Sequence, residues 1–355
     1  MPSPVAAVMG CLLGTAVGDA LGLAYEGLTP QRAERLFPDQ TRYHFFFGKG
    51  MVSDDTEHAC MTAQALIEAR GDVALFARCL SRHLRFWLLG LPAGVGFATL
   101  RAISKLWSGV SPERSGVFSA GNGPAMRSAL LGVCYGHDET TLTAFVRAST
   151  RLTHTDPKAY WGALAVALAA HCSCTAKVVD GAQFYDRLKT LLAAEPVAEF
   201  LELIKAAVKS AQTGQPTKAF ALTLGLKKGV TGYMYHTVPV VIHAWLSQPQ
   251  DFQAALAAIL ACGGDTDTTA AILGGIIGSR VGKHGIPPQW RDDLWEWPRT
   301  VAWIERLGRQ LAETNETKAL RLPVYGVLLR NLVFLVIVLA HGFRRLLPPF
   351  YRDED

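Results

Sequence analysis

The chain has 355 residues, half of them hydrophobic and 18% charged, which suits a large buried core and excludes a disordered polymer. Its net charge of +5 is spread along the sequence with no run of five or more Lys/Arg, so the basic excess is not a nucleic-acid footprint. The seven cysteines include no CxxC pair, and the Cys172-x-Cys174 spacing lacks partners for a zinc site; they read as free thiols in a reducing, cytoplasmic compartment.

Met1 to Gly10 has no basic n-region and runs directly into a patterned segment, so no signal peptide is expected. Gly10, Gly14, Gly18 and Gly22 recur every four positions and predict a helix with one face bare of side chains, suited to close packing. The stretch lacks GxGxxG spacing and a preceding strand, which excludes a dinucleotide-binding turn. Asp19, on this segment, reads either as a buried hydrogen-bond acceptor or as a support for a metal site.

Helical periodicity then dominates. Glu57 to Arg70, Asp72 to Leu89, Thr141 to Thr150, Pro157 to His171 and Phe252 to Leu260 carry apolar residues at three- and four-residue steps. His44 to Phe47 is the sole strand-like stretch and reads better as a loop. Punctuation falls at 90–94, 119–124 and 262–265. The expectation is a compact all-α domain over residues 5–312 with function on its loops, followed by a hydrophobic tail over 316–355.

Two acidic clusters stand at helix starts: Ser53-Asp54-Asp55-Thr56, and Gly263-Gly264-Asp265-Thr266-Asp267-Thr268-Thr269. Capping needs one such residue, not three, and adjacent carboxylates repel. The helix after the second cluster is apolar almost all round, which buries its acidic start, and no Lys or Arg is near in sequence to neutralise it. Buried charge must be paired or bound to metal, and hard oxygen donors select Mg²⁺, Mn²⁺ or Ca²⁺ over Zn²⁺. Two facing helix starts would hold two ions. Ser119 to Arg127 is a turn entering a helix whose backbone N–H groups can cradle a phosphate, although a plain loop would look the same.

The tail, ALRLPVYGVLLRNLVFLVIVLAHGF over 319–343, is long enough to span a bilayer. Arg330 and Asn331 near its centre each cost about 2–3 kcal/mol there, close to the gain from about a dozen apolar residues. A membrane-associated helix and a helix docked on the enzyme or in a dimer interface both remain open.

Together the motifs GCLLGTAVGDALGLAYEG (10–27), SDDT (53–56), GNGPAMR (121–127), LTHTDP (152–157) and GGDTDTTAAILGGIIG (263–278) resemble the ADP-ribosylglycohydrolase family, in the family's order over some 290 residues. The resemblance implies a compact all-α fold with two Mg²⁺ ions (Mn²⁺ as a substitute) in a central cleft. It implies Ser53, Asp54, Asp55, Asp265, Asp267 and Thr268 as metal ligands, with Ser53 standing where many members have Thr. Glu26 and Asp55 are the implied catalytic residues, Glu26 as acid/base. Gly121, Asn122, Gly123 and His154 are the implied ADP-ribose contacts. The implied partner is an ADP-ribosylated protein or small molecule. The chain departs from the pattern at Pro92 to Phe97, where many arginine-directed members carry an Asp-Ile-Gly stretch; the missing acid counts against an ADP-ribosyl-arginine substrate. The alternative function is a non-catalytic ADP-ribose-binding or structural protein on the same fold.

Overall fold

The computed structural model describes residues 1–313 and 316–346; within them the chain forms 17 α-helices and two short 3₁₀ turns, with isolated backbone bridges in place of a sheet. The expected helices are present. Their starts are set by short acids: Asp72, Asp138, Asp156 and Asp251 cap the helices Val73–Leu89, Glu139–Arg151, Pro157–Thr175 and Phe252–Leu260 with their side chains. His44 to Phe47 forms a tight turn closed by a Phe46–Lys49 bridge, as its loop reading predicts.

The centre is a pair of buried helices, Pro4–Gly22 and Thr266–Gly285, the second broken at Gly282. They run antiparallel with their glycines in register. A Cβ on Gly10, Gly14, Gly18 or Gly22 would fall 2.0–2.3 Å from the carbonyl oxygen of Gly278, Gly274, Ala270 or Thr266. The bare face thus lets two backbones touch, and almost every side chain of both helices is buried. Asp54–Ala69, Ala129–Tyr135 and Val301–Glu313 pack on the first helix; Pro157–Thr175, Met234–Ser247 and Phe252–Leu260 pack on the second.

The tail forms one helix, Val324–Leu346, laid along the enzyme body. Arg330, Asn331, Phe334, Ile337 and His341 make its buried stripe. Arg330 forms a two-pronged ion pair with the buried Glu296 and donates to the Val52 carbonyl at 2.6 Å. Asn331 donates to the Gly90 carbonyl at 2.6 Å, and His341 reaches the Ala24 carbonyl at 3.1 Å. The two polar residues that made a membrane span costly therefore point into protein and have partners there. The opposite face leaves Val324, Tyr325, Leu329, Val336, Leu339 and Phe343 exposed.

The glycine seam generates a sharp expectation. Gly14→Ala puts a methyl about 2.1 Å from a backbone oxygen that cannot move aside, and should cost at least the ~1–3 kcal/mol typical of overpacking. Gly342→Ala, facing open space within a helix, should be neutral or stabilise by about 0.5–1 kcal/mol. Urea midpoints of the two variants check this; equal midpoints would show that the seam is not tight.

Candidate active site

Three loops are stitched together where the two central helices end. Gly27 N–H donates to Gly264 O at 2.7 Å and Gly264 N–H to Leu28 O at 2.8 Å; Val230 N–H donates to Gly263 O at 3.0 Å and Asp265 N–H to Val230 O at 2.8 Å. Gly264 has φ +86°, and a Cβ there would strike Val230 O at 2.0 Å, so this position requires glycine. The stitching fixes Glu26 beside Asp265 and Asp267.

The first cluster is set by Asp19. Its carboxylate accepts from Ser53 N–H at 2.9 Å, Thr56 N–H at 3.1 Å and the Thr56 hydroxyl at 2.5 Å. Asp19 thereby caps the Asp54–Ala69 helix from another element, and Ser53 Oγ accepts from Asp55 N–H at 3.3 Å. The buried-acceptor reading of Asp19 is the one these bonds show, and through them it holds the first cluster in place. Burial pushes its carboxyl up to about 6, against the pull of the Thr56 and Ser53 hydrogen bonds.

With capping done by Asp19 and Ser53, the other acids are left over. Asp55 Oδ2 accepts from Ser53 Oγ at 3.1 Å and from Thr268 Oγ1 at 3.2 Å, so it joins the two clusters. Its Oδ1 is buried without a partner, and so is Asp267 Oδ1. Asp265 starts the Thr266–Gly285 helix yet makes no capping bond; its Oδ2 instead accepts from Asn122 Nδ2 at 2.7 Å. Burial, then neighbouring carboxylates, raise Asp54, Asp55 and Asp267 well above the ordinary carboxylate range. Glu26 is raised by burial and by Asp265, with Arg345 opposing.

Glu57 shows what this chain does with a structural buried acid. It accepts from Trp87 Nε1 at 2.5 Å and pairs with Arg299 at 2.9 Å. Burial works to raise its carboxyl, but Arg299 and Arg330 outweigh it and hold Glu57 low. No such arginine pairs with Asp55 or Asp267 among the described residues. Orphaned oxygens, mutually repelling carboxylates and two hydroxyls form an all-oxygen donor set that fits hard divalent cations. No group of three acidic, His or Cys side chains among the described residues is already closed around a point.

The glycine loop sits opposite. Asn122 Nδ2 donates to both Thr237 Oγ1 at 3.0 Å and Asp265 Oδ2 at 2.7 Å, tying the loop to the second cluster. Gly121 N–H is engaged by Ser119 Oγ and Asn122 N–H by Gly232 O, so these two are not free to cradle a phosphate as drawn. His154 lies beneath the loop, 3% exposed. A Cβ on Gly121 or Gly123 would meet its ring at 3.1 Å. Burial and Arg127 push it down to about 3, so it is a neutral support.

Arg127, not singled out from sequence, spends all five of its N–H donors on neutral acceptors: Ser149 Oγ and O, His58 Nδ1, Gly123 O and Thr153 Oγ1. It locks the loop to the body from below. Its place at the end of GNGPAMR was the available signal. Glu296 carried none, since the arginine it pairs with lies 34 residues away.

The all-α body thus gathers five acids that have no ion pair among the described residues, and two hydroxyls, opposite a glycine loop, an arrangement suited to a polar, charged substrate. The ADP-ribosylglycohydrolase pattern matches residues 2–320, and the chain belongs to that family and is a glycohydrolase acting on ADP-ribosyl compounds. It is 26% identical to ADP-ribosylhydrolase ARH3 of Gallus gallus, over 84% of this chain and 91% of that protein. It is 24% identical to the ADP-ribosyl-[dinitrogen reductase] glycohydrolase of Rhodospirillum rubrum, over 82% and 92%. A solved structure described as an ADP-ribosylglycohydrolase-related protein complex superposes with a TM-score of 0.60 at 24% identity, covering 88% of this chain and 99% of that one. The tail helix lies beyond the matched residues.

Proposed function

We propose that this chain removes ADP-ribose from a modified protein side chain or a related ADP-ribosyl conjugate, with two Mg²⁺ ions held by Ser53, Asp54, Asp55, Asp265, Asp267 and Thr268. The observation that carries the reading is Asp55, tethered by a hydroxyl from each cluster and left with one buried oxygen unpartnered. When bound, the ions supply positive charge to the ribose hydroxyls and to a water, and make that water more acidic; Mn²⁺ shares this ligand preference.

The chain's own groups do the rest. The Glu26 carboxyl, raised by desolvation and by Asp265 although the residue stands at the surface, keeps a proton nearer neutrality than an unperturbed glutamate does. It delivers that proton to the leaving atom, or takes one from water, as the bond from the anomeric carbon breaks and the carbon–water bond forms. Asp55 orients the attacking water. Asn122, with Gly121 and Gly123 above the His154 ring, holds the ADP-ribose side. Ala93 and Gly94 line the mouth beside Glu26, Asp54 and Asp267, in the stretch where many arginine-directed members carry an additional acid, and the lack of that acid favours acceptors other than arginine. We also place the enzyme in the cytoplasm with the exposed apolar face of the tail helix resting on a membrane surface; an apolar face of this extent favours such contact.

Three expectations follow from this reading. Activity should vanish in excess EDTA and return with Mg²⁺ or Mn²⁺, and Mg²⁺ at a hundred times its Kd should stabilise the protein by about 2.7 kcal/mol. Asp265→Ala or Asp54→Ala should lose both effects, and full turnover in EDTA would refute the metal assignment. Glu26→Gln should lower kcat by about 10²–10⁴ while ADP-ribose binding persists; near-normal turnover removes Glu26 from the chemistry. Full-length protein should sediment with vesicles rich in anionic lipid, and protein left wholly in the supernatant rules out the membrane contact.

A further inference from the structure

A second groove lies along the tail helix, apart from the acid cavity. The loop over residues 42–48 forms one wall, and Val336, Ile337, Ala340, His341 and Arg344 form the other. Arg42 and Arg344 are its cations, and no carboxylate lines it among the described residues. Burial lowers the His44 pKa and both guanidiniums add to the shift, against the pull of Asp39, so the two arginines share one neighbourhood. Arg344 makes no hydrogen bond or ion pair with a described residue. Arg42 pairs with Asp39 at 3.1 Å, but both are exposed, and Asp39 also accepts from the Thr41 N–H and hydroxyl at 2.9 and 2.5 Å. An exposed pair of that kind is weak and open to exchange.

The loop makes a second, independent observation. Phe47 is 93% exposed at φ +47°, a left-handed conformation that bulky side chains avoid. Backbone bonds between Phe46 and Lys49 close the turn, and the Phe46 ring stacks on Trp295 at 5.2 Å. The fold thus holds an aromatic ring out in water despite the backbone strain, and strain of that kind persists where it serves a site. Trp297 continues the aromatic row; a Cβ on Gly326 of the tail helix would meet its ring at 3.0 Å. Trp295 and Trp297 are both half-exposed. Between Val324 and Phe343 every exposed residue of the helix is apolar. A protein partner meets an apolar patch with a polar rim. A wholly apolar face, flanked by half-exposed tryptophans and ended by a free arginine, is the make-up of a membrane-interface surface.

We propose that this groove takes one anionic membrane phospholipid, its phosphate between Arg42 and Arg344 and an acyl chain against Phe47, Val336 and Ala340. The inference rests on the membrane contact of the tail helix and adds a headgroup site to it. Guanidiniums match phosphate oxygens in pairs, and the apolar walls begin where the arginines stop.

Cosedimentation of full-length protein tests it, with vesicles of phosphatidylcholine alone and of equal parts phosphatidylcholine and phosphatidylserine. Wild type should bind the mixed vesicles more tightly. Arg42→Ala with Arg344→Ala should weaken that binding by roughly thirtyfold and leave binding to phosphatidylcholine unchanged. Lys177→Ala with Lys209→Ala, an equal loss of charge away from the groove, should change little. Phe47→Asn should weaken binding to both vesicles by about tenfold while keeping or raising the melting temperature, because Asn accepts the left-handed turn. If wild type binds neither vesicle, the membrane contact itself fails. If wild type binds and the arginine variant matches it, or the lysine variant loses as much, the contact stands and the headgroup site is overturned. Release from mixed vesicles by inorganic phosphate at the lipid's own concentration would also overturn it, since the groove would then take the free ion.

Discussion

The backbone contact between Pro4–Gly22 and Thr266–Gly285 sets everything else in place. Two helices that touch through glycines cannot slide or rotate, because each carbonyl oxygen sits where a Cβ would be. Side-chain packing tolerates repacking; backbone against backbone does not. The seam pairs Gly22 with Thr266, and therefore brings Asp19 and Glu26, near the end of one helix, to Asp265 and Asp267, at the start of the other. Residues nearly 250 positions apart acquire ångström-level register from four glycines that make no chemistry of their own.

That rigidity is what allows the acids to collect. Asp55 and Asp267 are buried and Asp54 is half-buried; desolvation, then the surrounding carboxylates, raise all three, which opposes folding whenever they ionise without cations. The hydrogen bonds of Asp19 to Ser53 and Thr56 tie the first cluster to the seam, and Asn122 ties the second to the glycine loop. The same chain neutralises Glu57 and Glu296 with Arg299 and Arg330. The contrast between paired and unpaired acids within one core separates structural carboxylates from those arranged to receive something.

Much of this was legible in the sequence where the signal was local. The glycine period, the capping acids, the hydroxyl–carboxylate clusters and the long apolar helices are written in consecutive residues, so the elements could be named beforehand, as could the acids that the fold gathers at the ends of the central helices. What sequence could not supply was who satisfies whom. Asp19 was left between two readings because its partners Ser53 and Thr56 lie 34 and 37 positions on. His154 looked like a cleft residue, but only the fold shows its ring under Gly121 and Gly123. Arg127 looked like one more basic residue until its five neutral acceptors were visible.

The tail makes the same point from the other direction. Hydropathy alone cannot distinguish a membrane span from a docked helix, because Val324–Arg345 passes the length and composition test for either. Partners distinguish them. Arg330 finds Glu296 and Val52, Asn331 finds Gly90, and His341 finds Ala24; crossing a bilayer would strip these groups and leave Glu296 buried with its nearer cation gone, a loss on the order of 3–5 kcal/mol. Docked on the body, the helix keeps those bonds, leaves its outer apolar face exposed, and with its inner face lines a cavity shared with Glu26, Ser53, Asp54 and Asp267. An apolar segment outside the family's own boundaries thus becomes part of the folded body, because its few polar residues have their complements on the enzyme.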